Sequence, residues 1–137
     1  MKKKILILLP TLNEVHHIVN LYNKISNLNI KANILFVDDG STDGTWKEII
    51  KIKKKNKSKV FAIKRDERKG LGKAHKDGLN WAYNKNYSFL VTMDTDFAHD
   101  PKYIPKLINE IKKNDLVIGS RHLKKNQLLI GTHLDYF

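Results

Sequence analysis

Apolar positions in this chain fall into short unbroken runs that alternate with stretches of helical spacing. Residues 4–9 form the first run and stop at Pro10, as expected for a strand covered on both faces. Val15, Ile18, Val19, Tyr22 and Ile25 then recur at helical spacing, with Asn13 placed to cap that helix. Residues 34–37 make a second buried strand that ends in Asp38-Asp39-Gly40. The polar turn Ser41-Thr42-Asp43-Gly44 leads into a helix bearing Trp46, Ile49 and Ile50, where Thr45 and Glu48 have capping-box spacing. Residues 60–63 predict a third strand, and a helix through Ala74, Gly78, Trp81 and Ala82 follows the Gly-containing stretch 64–72. Residues 89–93 predict a fourth strand running into Asp94-Thr95-Asp96. Asp100-Pro101 has the form of an N-cap and first helical position. Ile104, Leu107, Ile108 and Ile111 mark one face of the helix after it, with Pro105 one turn in as an alternative start. Residues 116–119 predict a fifth strand, and beyond Arg121 the pattern fades. Five short apolar strands alternating with four amphipathic helices predict an α/β fold with a parallel sheet.

Length and composition narrow the picture. A chain of 137 residues with 41% hydrophobic and 29% charged positions is globular in type and large enough for one real core. It contains no cysteine, so a disulfide framework, a thiolate metal cluster and a cysteine nucleophile are excluded. The apolar run 5–9 is too short for a membrane span or a secretory core, and Pro10, Asn13 and Glu14 interrupt it. A cytoplasmic domain is the resulting expectation. The formal net charge of +12 favours anionic partners. Yet the cations are 23 Lys and 3 Arg, and recognition of base edges and buried phosphate leans on the arginine fork. With no basic-aromatic motif present, nucleic acid is not an expected partner. The lysine run 51–59 reads as a solvated face that suits the negative end of a helix dipole.

The acids are placed more tellingly. Ligands of an open parallel sheet bind beyond the carboxyl ends of its strands, and five of the 14 acids fall there: Glu14 after strand one, Asp38 and Asp39 after strand two, Asp94 and Asp96 after strand four. In an extended chain Asp94 and Asp96 point to the same side. Two carboxylates beside a diphosphate suit Mg²⁺ or Mn²⁺, which take oxygen ligands and share them with phosphate. Asp38 and Asp39 point to opposite sides, so at most one faces a ligand while the other holds the turn. Asp43, at a helix start, reads as a turn or cap residue. Gly70-Leu71-Gly72 satisfies neither the P-loop nor the dinucleotide spacing and reads as a tight turn into the third helix. His16, His17, His75 and His122 lack metal-ligand spacing, and His99 reads as a turn residue beside the acidic pair.

Five segments in order carry a resemblance: Pro10-Thr11-Leu12-Asn13-Glu14; Val37-Asp38-Asp39-Gly40-Ser41-Thr42-Asp43-Gly44-Thr45; Gly70-Leu71-Gly72-Lys73-Ala74 with Gly78; Met93-Asp94-Thr95-Asp96-Phe97-Ala98-His99-Asp100-Pro101; and Ile118-Gly119-Ser120-Arg121. Together they resemble family 2 glycosyltransferases of the GT-A fold, in particular the polyprenol (dolichol) phosphate mannosyltransferases. Leu12 stands where that branch usually has Tyr, Thr95 where it has Ala, and Ala98 where a polar side chain can stand near the metal. The resemblance implies a three-layer α/β/α architecture with a mainly parallel, Rossmann-like sheet. It also implies that Pro10, Leu12 and Glu14 line the nucleotide base, with Val37 and Asp39 beside base and ribose. Asp94, Thr95 and Asp96 would contact the donor, with Asp96 the main ligand of Mg²⁺ or Mn²⁺ and Asp94 beside it, and Arg121 would face the acceptor phosphate. The implied catalytic set is Asp94, Asp96 and Arg121.

The implied partners are a nucleoside diphosphate sugar, GDP-mannose favoured, a polyprenyl phosphate acceptor, and peripheral contact with the cytoplasmic face of a membrane through lysine-rich faces. Two other readings stay open: transfer to a glycan or lipid hydroxyl, and binding of nucleotide sugars without transfer. Catalytic domains of the family run beyond Arg121 into an acceptor-side segment. Residues 1–121 are therefore expected to be the nucleotide-sugar-binding domain and 122–137 a short tail without the family pattern, with the C-terminal part of the family domain missing.

Overall fold

A computed structural model describes residues 3–120 and the backbone of 128–131. The described residues fall into two compact units that divide between Lys102 and Tyr103.

In the first unit the strands are β1 (Ile5–Thr11), β2 (Asn33–Asp38), β3 (Val60–Lys64) and β4 (Phe89–Thr92), joined through α1 (Ile18–Ser26), α2 (Thr45–Lys55) and α3 (Leu71–Asn84). All pairings are parallel and the spatial order is β3-β2-β1-β4. Two crossovers run outward from β1 to β3, and one returns across the sheet to β4. Right-handed connections therefore put α1 and α2 on one face and α3 on the other. This is the expected three-layer, mainly parallel α/β architecture.

The strands are apolar on both faces because both faces are covered. Leu6, Leu8, Leu35 and Val37 pack with Ala74 and Ala82 of α3, flanked by Phe61, Trp81 and Tyr87. Strand alternation leaves Ile7, Leu9, Ile34 and Phe36 for the opposite face. There Ile18, Leu21, Ile25, Ile49 and Ile52 are also buried. The third layer comes unusually close at one point. A Cβ on Gly78 would lie 2.4 Å from Leu8 Cδ1 and 2.8 Å from Cδ2, so only hydrogen fits between α3 and β1.

The second unit carries α4 (Ile104–Glu110), β5 (Leu116–Gly119) and β6 (Leu128–Gly131). Here the expectation of a fifth parallel strand is corrected. Residues 116–119 do form a strand, but it pairs antiparallel with β6, from Leu116 opposite Gly131 to Gly119 opposite Leu128. A four-residue apolar run has the same pattern in either kind of sheet, and its partner lies where the hydrophobic pattern fades.

Two helix starts also differ from expectation. Asn13 does not cap α1; it sits in the left-handed region at φ 53°, and the first position before the helix is His17. The Thr45–Glu48 capping box does not form either. Gly44 occupies the cap position, and the Thr45 hydroxyl is used across the molecule by Glu14 N–H at 2.8 Å. Before α4, Asp100 accepts Lys102 N–H at 3.0 Å and closes a 3₁₀ turn over Pro101–Tyr103.

The two glycines of α3 should respond oppositely to alanine. Gly78→Ala forces atoms into the Leu8 side chain and is expected to cost about 1–3 kcal/mol, less up to ~1 kcal/mol of regained helix propensity. A methyl at Gly72 would meet no other atom within 4 Å, so Gly72→Ala should be neutral or stabilising. Urea unfolding of the two variants checks both signs.

Candidate functional site

The carboxyl ends of β2, β1 and β4 lie side by side, with β1 in the middle, and carbonyls at the end of β1 accept hydrogen bonds from both neighbouring segments. Asp39 N–H donates to Thr11 O at 2.9 Å, and the Thr95 hydroxyl reaches Pro10 O at 3.5 Å. The last two residues of β1 thus hold the Asp39 segment on one side and the Asp94–Asp96 segment on the other. The two flanking strands are two spacings apart, about 10 Å.

The loop after β1 is fastened to the loop after β2. Asn13 N–H donates to Ser41 Oγ at 2.9 Å, and Thr42 N–H donates to Asn13 Oδ1 at 2.9 Å. Val15 N–H donates to Asp43 Oδ2 at 3.1 Å. Asp43 Oδ1 accepts both the N–H and the hydroxyl of Thr45, so Asp43 is the turn residue its position predicts. Burial pushes its carboxyl upward, but the hydrogen bonds from Thr45 and Val15 outweigh this and hold the pKa below the ordinary 3.8.

Asp38 and Asp39 part as strand alternation requires. Asp38 is fully buried; Oδ2 accepts Ser41 N–H at 3.1 Å, and Oδ1 has no hydrogen-bond partner among the described residues. Asp39 turns toward α3. Its Oδ1 accepts Lys69 N–H at 3.0 Å and its Oδ2 accepts Gly70 N–H at 2.9 Å. Gly70, at φ 95°, turns the chain so that both amides meet one carboxylate before α3 begins.

Arg65 completes this cluster, and no motif pointed to it. Its side chain is 7% exposed, with Nη1 3.1 Å from Asp39 Oδ1 and Nε 3.3 Å from Asp77 Oδ2. Nη1 also donates to Gly70 O at 3.3 Å. The one signal in the sequence is rarity, since Arg65 is one of three arginines among 23 lysines and a guanidinium tolerates burial where an ammonium does not.

Above this cluster lies a cleft of about 240 Å³. Thr11 and Leu12 line it at the end of β1, Gly70 from the turn before α3, and Leu71 and Ala74 from α3, with Asp39 and Arg68 beside them. Leu12 and Asp39 therefore line one cleft, while Pro10 and Val37 are buried, Val37 in the core under α3. Glu14 accepts a hydrogen bond from His17 Nδ1 at 2.6 Å; a carboxylate only accepts, so Nδ1 carries the proton. A more open cleft of about 490 Å³ lies on the outer side of Arg65, lined by Lys64, Lys69, Lys73 and Lys76 among others. None of Glu14, Asp39, Asp94 and Asp96 lines it, so the smaller cleft is the one that belongs to the strand tips.

At the β4 tip, Thr95 is buried between a half-buried Asp94 and an exposed Asp96. Asp94 N–H donates to His99 Nδ1 at 3.2 Å, which makes His99 the turn residue expected of it. Asp96 Oδ1 accepts Ala98 N–H at 2.9 Å, and Oδ2 accepts no hydrogen bond from the described residues. Among the described residues no group of three or more His, Cys, Asp or Glu side chains forms a metal cage. Two carboxylates with spare oxygens fit a cation that completes its shell with phosphate and water. Arg121 lies outside the described residues.

A mainly parallel sheet between helical layers, with acids at three neighbouring strand tips, is an α/β fold of the GT-A class. The chain matches the model of glycosyl transferase family 2 over residues 6–134, and it belongs to that family. It is 30% identical over 128 residues to an undecaprenyl-phosphate mannosyltransferase of Micrococcus luteus, covering 92% of this chain and 51% of that protein. It is 37% identical over 124 residues to a dolichol-phosphate mannosyltransferase of Pyrococcus furiosus, covering 88% and 34%. Among solved structures, glucosyl-3-phosphoglycerate synthase from Mycobacterium tuberculosis, in complex with Mn²⁺, UDP and glucosyl-3-phosphoglycerate, superposes with a TM-score of 0.62 at 25% identity, over 81% of this chain and 40% of that one. The chain spans about half the length, or less, of the curated relatives it matches.

Two outcomes follow from the geometry. Arg65→Ala strands the buried Asp39 carboxylate and is expected to lower the unfolding free energy by about 3–5 kcal/mol, measured by denaturant titration. Asp43 has a depressed pKa in the fold, so its stabilisation is present above the unfolded value near 3.8 and is lost as pH falls through the folded value. Between pH 5 and pH 3, taken as a range of about two units around that value, wild type should lose stability more steeply than Asp43→Asn.

Proposed function

We propose that this chain binds a nucleoside diphosphate sugar across the tips of β2, β1 and β4 and transfers its hexose, mannose from GDP-mannose, to a polyprenyl phosphate with inversion. The observation that carries the reading is the attachment of both acidic segments to the end of β1, through Thr11 O and Pro10 O. The cleft at Leu12, Asp39 and Leu71 and the Asp94–Asp96 segment thus both adjoin the end of β1. The names of the two mannosyltransferase relatives support the sugar and the acceptor class.

Each residue has a role in this reading. Leu12 and Leu71 give the base an apolar seat, and Asp39 holds the Lys69–Gly70 turn that walls it. Asp96, with Asp94, would hold Mg²⁺ or Mn²⁺, which supplies charge neutralisation at the departing diphosphate. Thr95 anchors the pair to β1. The acceptor phosphate is already mostly ionised near neutral pH, its second pKa being ≈ 6. One of its oxygens attacks the anomeric carbon, the bond from that carbon to the diphosphate oxygen breaks, and the electron pair leaves with the nucleoside diphosphate. No protein base is needed, whereas a hydroxyl acceptor would require one. Arg121 is assigned to the acceptor phosphate, a role suited to a guanidinium fork.

Residues 1–121 form the nucleotide-sugar-binding part in this proposal, working in the cytoplasm. No helix among the described residues is long and apolar enough to cross a membrane, and contact with the membrane that holds the acceptor is assigned to lysine-rich faces. A second reading, a UDP-sugar donor and a hydroxyl acceptor, is favoured by the UDP and glucosyl product named for the solved relative.

Calorimetric titration with GDP-mannose and UDP-glucose, with and without Mn²⁺, tests the proposal. GDP-mannose is expected to bind more tightly with the metal, and Asp96→Ala should remove on the order of tenfold or more of that gain. Product analysis with polyprenyl phosphate against sugar acceptors separates the two readings. Absence of metal-dependent binding to any sugar nucleotide overturns both.

A further inference from the structure

The residue after the acidic pair is in a costly conformation. Phe97 has φ 63°, in the left-handed region where a bulky side chain is a genuine outlier. Such a conformation persists only when its surroundings hold it. The ring meets two residues, one just before α1 and one within it. The His17 imidazole meets it edge-on, with centroids 5.6 Å apart and planes at 89°. Lys24 Nζ lies 5.0 Å from the ring centroid, within cation–π range. His17, the residue just before α1, and Lys24 within it are seven residues apart, about two helical turns, and so lie on one side of the helix. His17 is itself fixed by its 2.6 Å hydrogen bond to Glu14. A continuous chain of contacts therefore runs from the β1–α1 loop through His17 and Phe97 to Asp96.

We propose that Phe97, clamped between His17 and Lys24, is a positioning residue that presents the Asp96 carboxylate to the cation. The Ala98 N–H bond to Asp96 Oδ1 requires the turn that Phe97 makes, and that bond leaves Oδ2 as the oxygen on offer. Release of the ring lets residue 97 relax out of the left-handed region, and the carboxylate turns with it. His17, which no motif singled out, thereby sets the strength of metal binding without touching the metal.

The inference rests on the metal-dependent donor binding proposed above, and one experiment separates the two. Mn²⁺ binding to the 137-residue chain is followed by electron paramagnetic resonance with GDP and, in parallel, UDP present. His17→Ala and Phe97→Ala are each expected to weaken Mn²⁺ binding about tenfold, as for other residues that orient a ligand. The double variant should be no worse than Phe97→Ala, because both remove one contact. His17→Phe restores an aromatic edge against Phe97 and should return affinity to within about twofold of wild type. Near-ultraviolet circular dichroism confirms that each variant is folded. Wild-type affinity in folded His17→Ala, or losses that multiply in the double variant, overturns the positioning role. A wild-type chain that binds no Mn²⁺, or an Asp96→Ala variant that binds it undiminished, overturns the underlying reading and the inference with it.

Discussion

A guanidinium and a carboxylate removed from water must satisfy one another and every remaining donor and acceptor, or the fold loses several kcal/mol. Asp39 and Arg65 meet that condition with groups drawn from four places: the tip of β2, the residue after β3, the turn before α3, and Asp77 within α3. The pair is thus a joint more than an isolated ion pair. It fixes where α3 starts relative to β2, and so the width of the cleft between Leu12 and Leu71. The Asp39 carboxylate has both oxygens occupied by protein donors, so it shapes the cleft through the turn it holds.

The other half of the site depends on β1. Parallel pairing in register with both β2 and β4 brings the ends of three strands to one edge, and the Pro10 and Thr11 carbonyls point to opposite neighbours as in any parallel ladder. Because those carbonyls are backbone groups, the spacing of the two acidic segments is independent of side-chain choice at positions 10 and 11. Division of labour among the acids follows from this. Asp43 and Asp38 hold turns, Asp39 holds a wall and Glu14 holds His17, while Asp94 and Asp96 stand together at the β4 tip.

Much of this was legible in the chain itself. Strands buried on both faces leave continuous apolar runs, and acids placed at their ends stand out in a lysine-rich sequence. The opposite orientations of Asp38 and Asp39 follow from the period of two. What escaped is long-range or pattern-neutral. Arg65 and Asp39 are 26 positions apart, and nothing local tells a buried arginine from an exposed one. The pairing of β5 with β6 was hidden because a four-residue run looks the same in a parallel sheet and a hairpin. Thr45 and Glu48 have the spacing of a capping box, yet the hydroxyl finds a better partner in the loop after β1. The hold of α1 on Phe97 depends on ring geometry, which spacing does not encode.

The outer strand of the sheet has a consequence of its own. β3 pairs only with β2 among the described residues, so its far side offers unpaired amides and carbonyls to any extended chain that approaches. Lys57 and Lys59 precede it and Lys64 ends it, bringing positive charge to both ends of an apolar stretch. A second copy arriving edge to edge would have to bring like charges together. Charged residues on exposed strands guard against that kind of association. Lysines at both ends of β3 thus place like charge where a second edge would have to pair.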